Sequence, residues 1–304
     1  MKAVFDTKPT SVYDDEVTRH YQFPRRYLET VQRCVGDRIV FRRPRADGGN
    51  LAYFACALVS ALEPDPDNPS MTFAHLGDFM QFDHPVPWTI QGRYWEEDLR
   101  NIPQQQVGVN LRGRSVRALS EDDFAAIVAA GLSETLAAEN AERLNLSLAT
   151  VAQANADLHA PHGQDRERRV ERVLTNRTIR DASFRRLVCG AYEGRCAVTR
   201  LRMLDVGSNV EAAAHIWAVS DGGPDVIQNG IALSATVHWL FDRHLITIGD
   251  DYRLIIALAK VPTEFQAVYA EHGRMLHIPA NAADRPHPSF LQKHRAVFFA
   301  KNGL

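Results

Sequence analysis

The sequence lacks the features of several protein classes. Only 4 of its 304 residues are cysteine, and in a chain of this length they do not form a disulfide framework, so reduced thiols are expected. No apolar run approaches the roughly 18 residues that span a bilayer, and the N-terminus has no apolar segment typical of a signal peptide. We therefore expect a soluble, cytoplasmic protein that does not contact a membrane.

An excess of positive charge is also missing. The formal net charge is -2 and the isoelectric point is near 6.6, which is not typical of a nucleic-acid-binding protein. Arginines are nevertheless dense in one segment, at Arg166, Arg168, Arg169, Arg172, Arg177, Arg180, Arg185, Arg186, Arg195, Arg200 and Arg202. Two interpretations are open: the segment contacts phosphates, or it is a solvated helix face with ion pairs such as Asp165 to Arg169.

The composition is that of a folded protein. Hydrophobic residues make up 45% and charged residues 24% of the chain, which are ordinary globular values, and the length favours two domains. Alternating and apolar patterns predict strands at Asp37–Arg42 and Leu51–Leu62, with a turn at Asp47–Asn50 between them. Irregular structure is expected at Glu63–Pro69, and order resumes at Met71–Met80.

Helical patterns follow in the middle of the chain. Ser120 is a predicted N-cap for a helix that stops at Gly131, and a second helical stretch is predicted from Ser133 to about Leu158. The periodicity breaks at residues 160–165. We therefore expect an α+β protein with a β-rich recognition domain at 1–118, a helical connector at 119–165 and a further domain at 166–304.

The last region has the order of a ββα unit. A helix is predicted over Arg180–Tyr192, followed by a strand at Val210–Ala214 and a loop rich in glycine at Asp221–Asp225. A second strand is predicted at Gly230–Leu233, and a helix from about Ser234 to Phe241. This order is the one that a ββα metal-binding unit requires.

Four polar residues of this region suit one reaction. His215 ends an apolar run, Asn229 follows 14 residues later, and His238 and Asp242 share one helix face at i,i+4. Hydrolysis of a phosphodiester needs a base to activate water, a group that fixes the base, and a divalent cation near the phosphate. A histidine, an amide and a histidine–carboxylate pair can meet these needs.

The motifs resemble those of the HNH endonucleases found in bacterial restriction-type proteins. The similarity is carried by Cys196-Ala-Val-Thr199, Glu211-Ala-Ala-Ala-His215-Ile216, Asn229-Gly-Ile-Ala-Leu233 and His238-Trp-Leu-Phe-Asp242, and it covers roughly Arg180 to Ile256. The resemblance implies a ββα-metal fold acting on double-stranded DNA. It further implies that His215 is the general base, that Asn229 ties the strands, and that His238 and Asp242 hold Mg²⁺ or Mn²⁺, with His238 also in the catalytic set.

One position departs from the family. Many HNH sites have an aspartate or histidine directly before the base, and here that position is Ala214. Either water and phosphate oxygens complete the metal shell, or Glu211 substitutes, and His244 is the nearest spare histidine that could assist. Cys189 and Cys196 do not form two CxxC pairs, so a structural zinc is not expected. Each site residue also has an ordinary structural interpretation by itself, and the inference depends on their order together.

The N-terminal region resembles PUA-like and EVE-like modules at Tyr21–Tyr27, Gly36–Phe41 and Leu51–Ala55. Such modules hold a flipped or modified base against aromatic rings. The resemblance points to stacking by Tyr21, Tyr27 and Trp88 and to phosphate contacts by Arg25, Arg26, Arg42 and Arg43. The alternative is that these aromatic side chains belong to the core.

Together these patterns predict a metal-dependent DNA endonuclease of restriction type, directed to modified DNA by its N-terminal domain. Two alternatives stay open: a sequence-specific restriction endonuclease that cuts unmodified DNA, and an inactive DNA-binding regulator. Double-strand cutting by a domain with one site would favour a homodimer.

Overall fold

The computed structural model describes residues 1–8, 16–45, 48–161, 163, 165–202, 204–205, 208–209, 211–265, 268 and 270–304. The chain is a mixed α/β protein and divides into two compact units. The N-terminal unit comprises Met1–Ala138 and Ser147–Arg180, and the C-terminal unit comprises Glu139–Leu146 and Asp181–Leu304. The functional boundaries at 118 and 165 stay a prediction. None of the described helices combines the length and the apolar content that a bilayer crossing needs.

The N-terminal unit is built on strands and short helices. Its strands are β1 (Ala3–Asp6), β2 (His20–Pro24), β3 (Arg38–Arg43), β4 (Ala52–Pro64), β5 (Met71–Pro87), β6 (Thr89–Ile90), β7 (Arg93–Tyr94) and β8 (Val116–Ala118). Its helices are α1 (Leu28–Gln32), α2 (Glu97–Arg100), α3 (Gln104–Asn110), α4 (Glu121–Gly131), α5 (Leu148–Leu158) and α6 (Arg166–Thr175). The sequence boundary between the units falls within α7 (Arg177–Ala191).

Six of these strands form one sheet in the order β2-β5-β4-β3-β1-β8. β1 and β3 run parallel, and the other neighbouring strands are antiparallel. The pairing of β4 with β5 shifts register at three places, and bulges of this kind bend and twist a sheet. The long strands therefore curl, and they enclose an aromatic core that includes Phe5, Phe41 and Phe79.

β3 carries two arginines inside this core, and each is paired with carboxylates. Arg38 donates to Glu171 at 2.7 Å and to Asp78 at 3.1 Å, and Arg42 donates to both oxygens of Asp6 at 2.8 and 2.7 Å. Burial of an unpaired charge would cost several kcal/mol, so these bidentate partners make the positions tolerable.

The two predicted strands are confirmed as β3 and β4, which pair antiparallel as expected for a hairpin. Order resumes at Met71 as expected, where β5 begins. The predicted turn between them includes Asp47, which lies outside the described residues. Irregular structure begins later than predicted, because β4 continues through Pro64 at the end of its pairing with β5.

The middle helices are confirmed only in part. Ser120 caps α4 by accepting a hydrogen bond from the backbone N–H of Asp123 at 3.1 Å, as predicted. The helix predicted from Ser133 to about Leu158 is wrong in its first part, because α5 begins only at Leu148. Asn145 has a positive φ of 57°, a conformation that ends a helix, and Ser147 is a new N-cap.

The described part of the C-terminal unit contains two-stranded sheets and helices. Its strands are β9 (Leu204–Asp205), β10 (Ser208–Asn209), β11 (Glu211–His215), β12 (Gly230–Ser234), β13 (Ile246–Ile248) and β14 (Leu254–Ile256). Its helices are most of α7, then α8 (Ala235–Asp242) and α9 (Pro288–Asn302). β9 pairs with β10, β11 with β12 and β13 with β14, each antiparallel, and α9 packs against β13.

Candidate active site in the C-terminal unit

The predicted order of strand, loop, strand and helix is present in the C-terminal unit. β11 pairs with β12 so that His215 lies opposite Gly230, and α8 begins directly after β12. α8 packs against both strands. Residues at the end of β11, in the loop, and on α8 are thereby held on one small ββα unit.

His215 is fixed on two sides. Its Nε2 lies 3.0 Å from Oδ1 of Asp225, which is almost fully buried. Its ring stacks on Phe184 of α7, with 3.8 Å between centroids and 4° between planes. A carboxylate only accepts hydrogen bonds, so Nε2 of a neutral imidazole donates here and the lone pair lies on Nδ1. The side chain is still 17% exposed, so solvent reaches the ring.

The contact with Phe184 depends on a glycine. A Cβ at residue 230 would lie 2.2 Å from Cγ2 of Val188 and 3.1 Å from Cζ of Phe184. Both atoms belong to side chains of α7, and the first distance is so short that Val188 or the helix that carries it would have to shift. Gly230 therefore lets α7 approach β12 closely enough for Phe184 to cover the His215 ring.

Asn229 joins the two ends of the loop. Its Oδ1 accepts from the backbone N–H of Trp217 at 2.8 Å, and its Nδ2 donates to the carbonyls of Trp217 at 2.9 Å and Pro224 at 3.0 Å. The side chain is fully buried, and the Asn229 carbonyl accepts from the backbone of Ile216 at 2.8 Å. The amide thus holds the segment that follows His215 against the start of β12.

The same loop packs too closely for a side chain at one position. A Cβ at Gly223 would lie 1.9 Å from the carbonyl oxygen of Trp217. Together with the left-handed conformation of Gly222, at φ 91°, this explains why the loop carries two consecutive glycines. This tight turn places Asp225 beside His215.

His238 and Asp242 form a pair on α8. Nε2 of His238 and Oδ2 of Asp242 are 3.3 Å apart, and the two side chains are 27% and 58% exposed. An imidazole and a carboxylate are suitable ligands for a divalent cation, and Mg²⁺ keeps several waters when it binds one or two protein groups. The pair therefore fits such an ion. Within the described ranges, no third histidine, cysteine or acidic ligand atom completes a set with these two.

The residues considered as substitutes for the ligand missing at Ala214 are placed as follows. Ala214 is buried in β11. The backbone of Glu211 belongs to β11, but its side chain lies outside the described residues, so its share in the site stays a prediction. His244 faces α9, where its Nδ1 lies 3.2 Å from Nζ of Lys301 and its ring stacks on His294 at 4.5 Å. Burial lowers the pKa of His244, which favours its neutral form.

His294 is the buried partner in that stack. Its Nδ1 lies 2.8 Å from the Thr247 hydroxyl, its Nε2 lies 3.2 Å from the Phe241 carbonyl, and the nearby ionisable groups are His244, Asp242 and Lys301. Burial lowers the pKa of His294 from 6.5 to about 3. The unfolded chain therefore binds a proton that the folded chain excludes, so stability is complete above pH 6.5 and falls as the pH drops towards 3.

We expect this one group to reduce the free energy of unfolding by about 1.4 kcal/mol for each pH unit below about 6. Urea denaturation at several pH values measures the slope. A His294→Gln variant keeps polar contacts but does not titrate, so its stability should depend less on pH. Equal slopes for the two proteins would contradict the assignment.

The residues predicted to contact DNA from the N-terminal unit are divided between core and surface. Tyr21 and Tyr27 are buried, and their hydroxyls donate to backbone carbonyls, which supports the core interpretation. Arg25 and Arg26 are exposed on the surface. Arg43 is half-buried, with its guanidinium 4.4 Å from the ring centroid of Phe54.

Arg42 and Trp88 lie together, but Arg42 is not on the surface. The Arg42 guanidinium lies 4.7 Å from the Trp88 ring centroid and is bound to Asp6. Nη1 of Arg42 and Nε1 of Trp88 are buried and have no hydrogen-bond acceptor among the residues that the structure describes. Two such donors beside one aromatic ring are rare in a folded protein.

Several arginines of the dense segment form internal ion pairs. Arg169 and Arg172 both approach the buried carboxylate of Asp157, at 4.0 and 3.2 Å. Arg166 pairs with Asp122 at 3.0 Å. Arg168 lies 3.8 Å from Asp165 in an exposed pair. These contacts favour the interpretation of α6 as a paired helix face.

Three carboxylates in the N-terminal unit lie around a lysine ammonium. Asp37, Glu121 and Glu167 bring carboxylate oxygens within 4.8 Å of one another. The Lys2 ammonium lies among them, bonded to Asp37 and 4.0 and 3.6 Å from the two glutamates. This charge already balances part of the cluster.

Two residues of the site were missed in the sequence. The sequence assigned Asp225 only to a glycine-rich loop, and Phe184 lay only within the predicted helix Arg180–Tyr192. Asp225 lies four residues before Asn229, at the end of the loop that Asn229 closes. That position is a usable signal, whereas no local pattern connects Phe184 with His215, since 31 residues separate them.

Comparison with known proteins identifies one segment. Residues 196–249 match the family model described as HNH endonuclease. The matched segment contains His215, Asn229, His238 and Asp242. This confirms the family inferred from the motifs. No curated protein matches the chain significantly.

Solved structures resemble the chain at low identity. The modification-dependent TagI restriction endonuclease is 14% identical, with a TM-score of 0.31, over 88% of this chain and 64% of TagI, so the chain spans less than two thirds of that protein. The N-terminal domain of Staphylothermus marinus McrB is 12% identical, with a TM-score of 0.30, over 43% of this chain and 94% of that domain. The type IV phosphorothioation-dependent restriction endonuclease ScoMcrA is 15% identical, with a TM-score of 0.19, over 78% of this chain and 48% of ScoMcrA. TM-scores of this size do not establish a shared fold.

Proposed function

We propose that the C-terminal region, which carries an HNH endonuclease domain at residues 196–249, makes this protein a metal-dependent DNA endonuclease of restriction type. The observation that carries the proposal is the arrangement of His215. Its ring is held by a buried carboxylate and an aromatic face at the end of β11, in the same ββα unit as the His238–Asp242 pair. A fixed imidazole in the same ββα unit as an imidazole–carboxylate pair suits hydrolysis of a phosphodiester.

In this proposal His215 is the general base. The Asp225 carboxylate holds the proton on Nε2, so that Nδ1 can take a proton from the attacking water. Phe184 covers one face of the ring and restricts its rotation. Asn229 acts one step further away, because it fixes the backbone from Trp217 to Pro224 that leads to Asp225.

His238 and Asp242 are the proposed ligands for the cation. When bound, Mg²⁺ or Mn²⁺ supplies neutralisation of charge on the phosphate and on the leaving oxygen. Both side chains are accessible to solvent on α8, so water and phosphate oxygens have room to approach them. With these oxygens in its coordination shell, the cation needs no ligand from residue 214.

The proposal is tested by nicking of supercoiled plasmid DNA. We expect the purified protein to produce open-circular and linear DNA with Mg²⁺ or Mn²⁺ and to produce neither in EDTA, because the cation ligands are protein groups that bind it reversibly. An Asp242→Asn variant should need a higher metal concentration for half-maximal nicking. A wild-type protein that binds plasmid DNA but never cuts it would favour the inactive regulator.

We propose further that the N-terminal unit directs cleavage to modified DNA. Support comes from Arg42 and Trp88, whose buried donors next to an aromatic ring suit an acceptor-bearing group such as a base. Plasmid DNA in plain, methylated and hydroxymethylated forms provides the test. Faster cleavage of one modified form supports this specificity, whereas equal rates or preference for plain DNA support the sequence-specific alternative.

A further inference from the structure

Trp239 is an exposed aromatic residue next to the metal-ligand pair. Solvent has access to 43% of its surface. Large aromatic side chains are usually buried to a greater extent, and an exposed one beside a functional site often contacts a partner. Its neighbour in sequence is His238, so both lie near the middle of α8.

The Trp239 ring is held in place by two side chains. The guanidinium of Arg243 lies 4.2 Å from the ring centroid, and the Phe265 ring stacks on it with 6.5 Å between centroids and 20° between planes. A ring restrained in this way loses little further conformational entropy when a partner binds. The exposed face of the ring is therefore preorganised for contact with a partner.

The geometry of α8 places this surface beside the proposed site. Trp239 and Arg243 are at i,i+4 and share one face, and His238 and Asp242 share the face next to it, because successive helix residues are about 100° apart. Whatever lies against the His238–Asp242 pair is therefore within reach of Trp239 and Arg243.

Charge indicates what this partner is. Arg243 is exposed, and within the described ranges no carboxylate lies within 4.0 Å of its guanidinium. A cation without an acidic partner, next to an apolar ring, complements the phosphates and sugars or base edges of a nucleic acid. A protein partner would more often place an acidic group against Arg243.

We propose that Trp239 and Arg243 form a DNA-contact surface that holds the strand flanking the scissile phosphate. Arg243 contacts a phosphate, and the Trp239 ring packs against the adjacent sugar or base. This inference rests on the proposed nuclease function, since it takes DNA as the occupant of the site.

Binding of a short labelled DNA duplex in EDTA tests the surface without cleavage. We expect Trp239→Ala to weaken binding by about 5- to 150-fold, the range for loss of one aromatic contact with a base, and Trp239→Phe to retain part of the affinity. Arg243→Gln should reduce the slope of log affinity against log salt by about 0.9, as for one lost phosphate contact. Phe299→Ala is the matched control, because Phe299 is 38% exposed on α9, and it should bind like the wild type.

The outcomes separate the two proposals. If the wild type nicks DNA and Trp239→Ala binds and nicks equally well, the DNA-contact surface is wrong while the nuclease function stands. If Trp239→Ala instead changes the oligomeric state without changing DNA affinity, the surface is an interface between copies of the chain and the inference is likewise overturned. If the wild type neither binds nor cuts DNA, both proposals fail.

Discussion

Replacement of His215 by alanine is expected to reduce plasmid nicking by about 100- to 10,000-fold, the range for loss of a general base. The expectation follows from the two contacts that fix the ring. With Nε2 on Asp225 and one face on Phe184, Nδ1 is the nitrogen left with a lone pair for water. Alanine at this position offers no proton acceptor.

A second variant separates chemistry from stability. Alanine leaves the buried Asp225 carboxylate without the imidazole, which destabilises the loop as well as removing the base. His215→Gln retains an N–H that can donate to Asp225 but has no basic nitrogen. We therefore expect it to unfold at nearly the wild-type temperature and still to be inactive.

His159→Ala is the matched control, since His159 is exposed in the N-terminal unit and its ring contacts the Asn155 carbonyl one turn earlier. Its nicking rate should equal that of the wild type. Cleavage by His215→Gln at the wild-type rate would show that another group activates the water, and His215 would then be a structural residue of the loop.

The parts of the fold that the sequence predicted are those set by local patterns. β3 and β4 have continuous apolar or alternating runs, and α4 has a capping serine followed by acids. The segment 133–147 also has a helical composition, but Asn145 adopts a left-handed conformation and starts a new cap instead. Helical composition is a weak preference, and a single turn overrides it.

The candidate site shows the same division. The sequence predicted His215, Asn229, His238 and Asp242 because each has a fixed spacing within the ββα order. Phe184 reaches His215 only through the packing of α7 on Gly230, a contact between distant segments that leaves no periodic signal. The burial of Arg42 could not be predicted from the sequence either, because it depends on an ion pair with Asp6 in another strand.

Asp225→Asn is expected to lower the nicking rate by about 10- to 100-fold, the range for removal of a carboxylate that orients a functional histidine. Asparagine can present its amide N–H to Nε2, which moves the ring proton to Nδ1 and removes the lone pair where water is expected. Because Asp225 is remote from substrate in this assignment, the effect should fall on kcat, with DNA affinity unchanged.

The metal dependence of the same variant decides how Asp225 acts. A positioning residue leaves the Mg²⁺ concentration for half-maximal nicking unchanged, whereas loss of a metal ligand raises it. Asp221→Asn is the control, because Asp221 is an exposed aspartate of the same loop whose contact is with Ser220. If Asp225→Asn needs far more Mg²⁺ and regains full rate there, Asp225 is the ligand that replaces the one absent at Ala214. If its rate matches that of Asp221→Asn, the carboxylate does not orient the base at all.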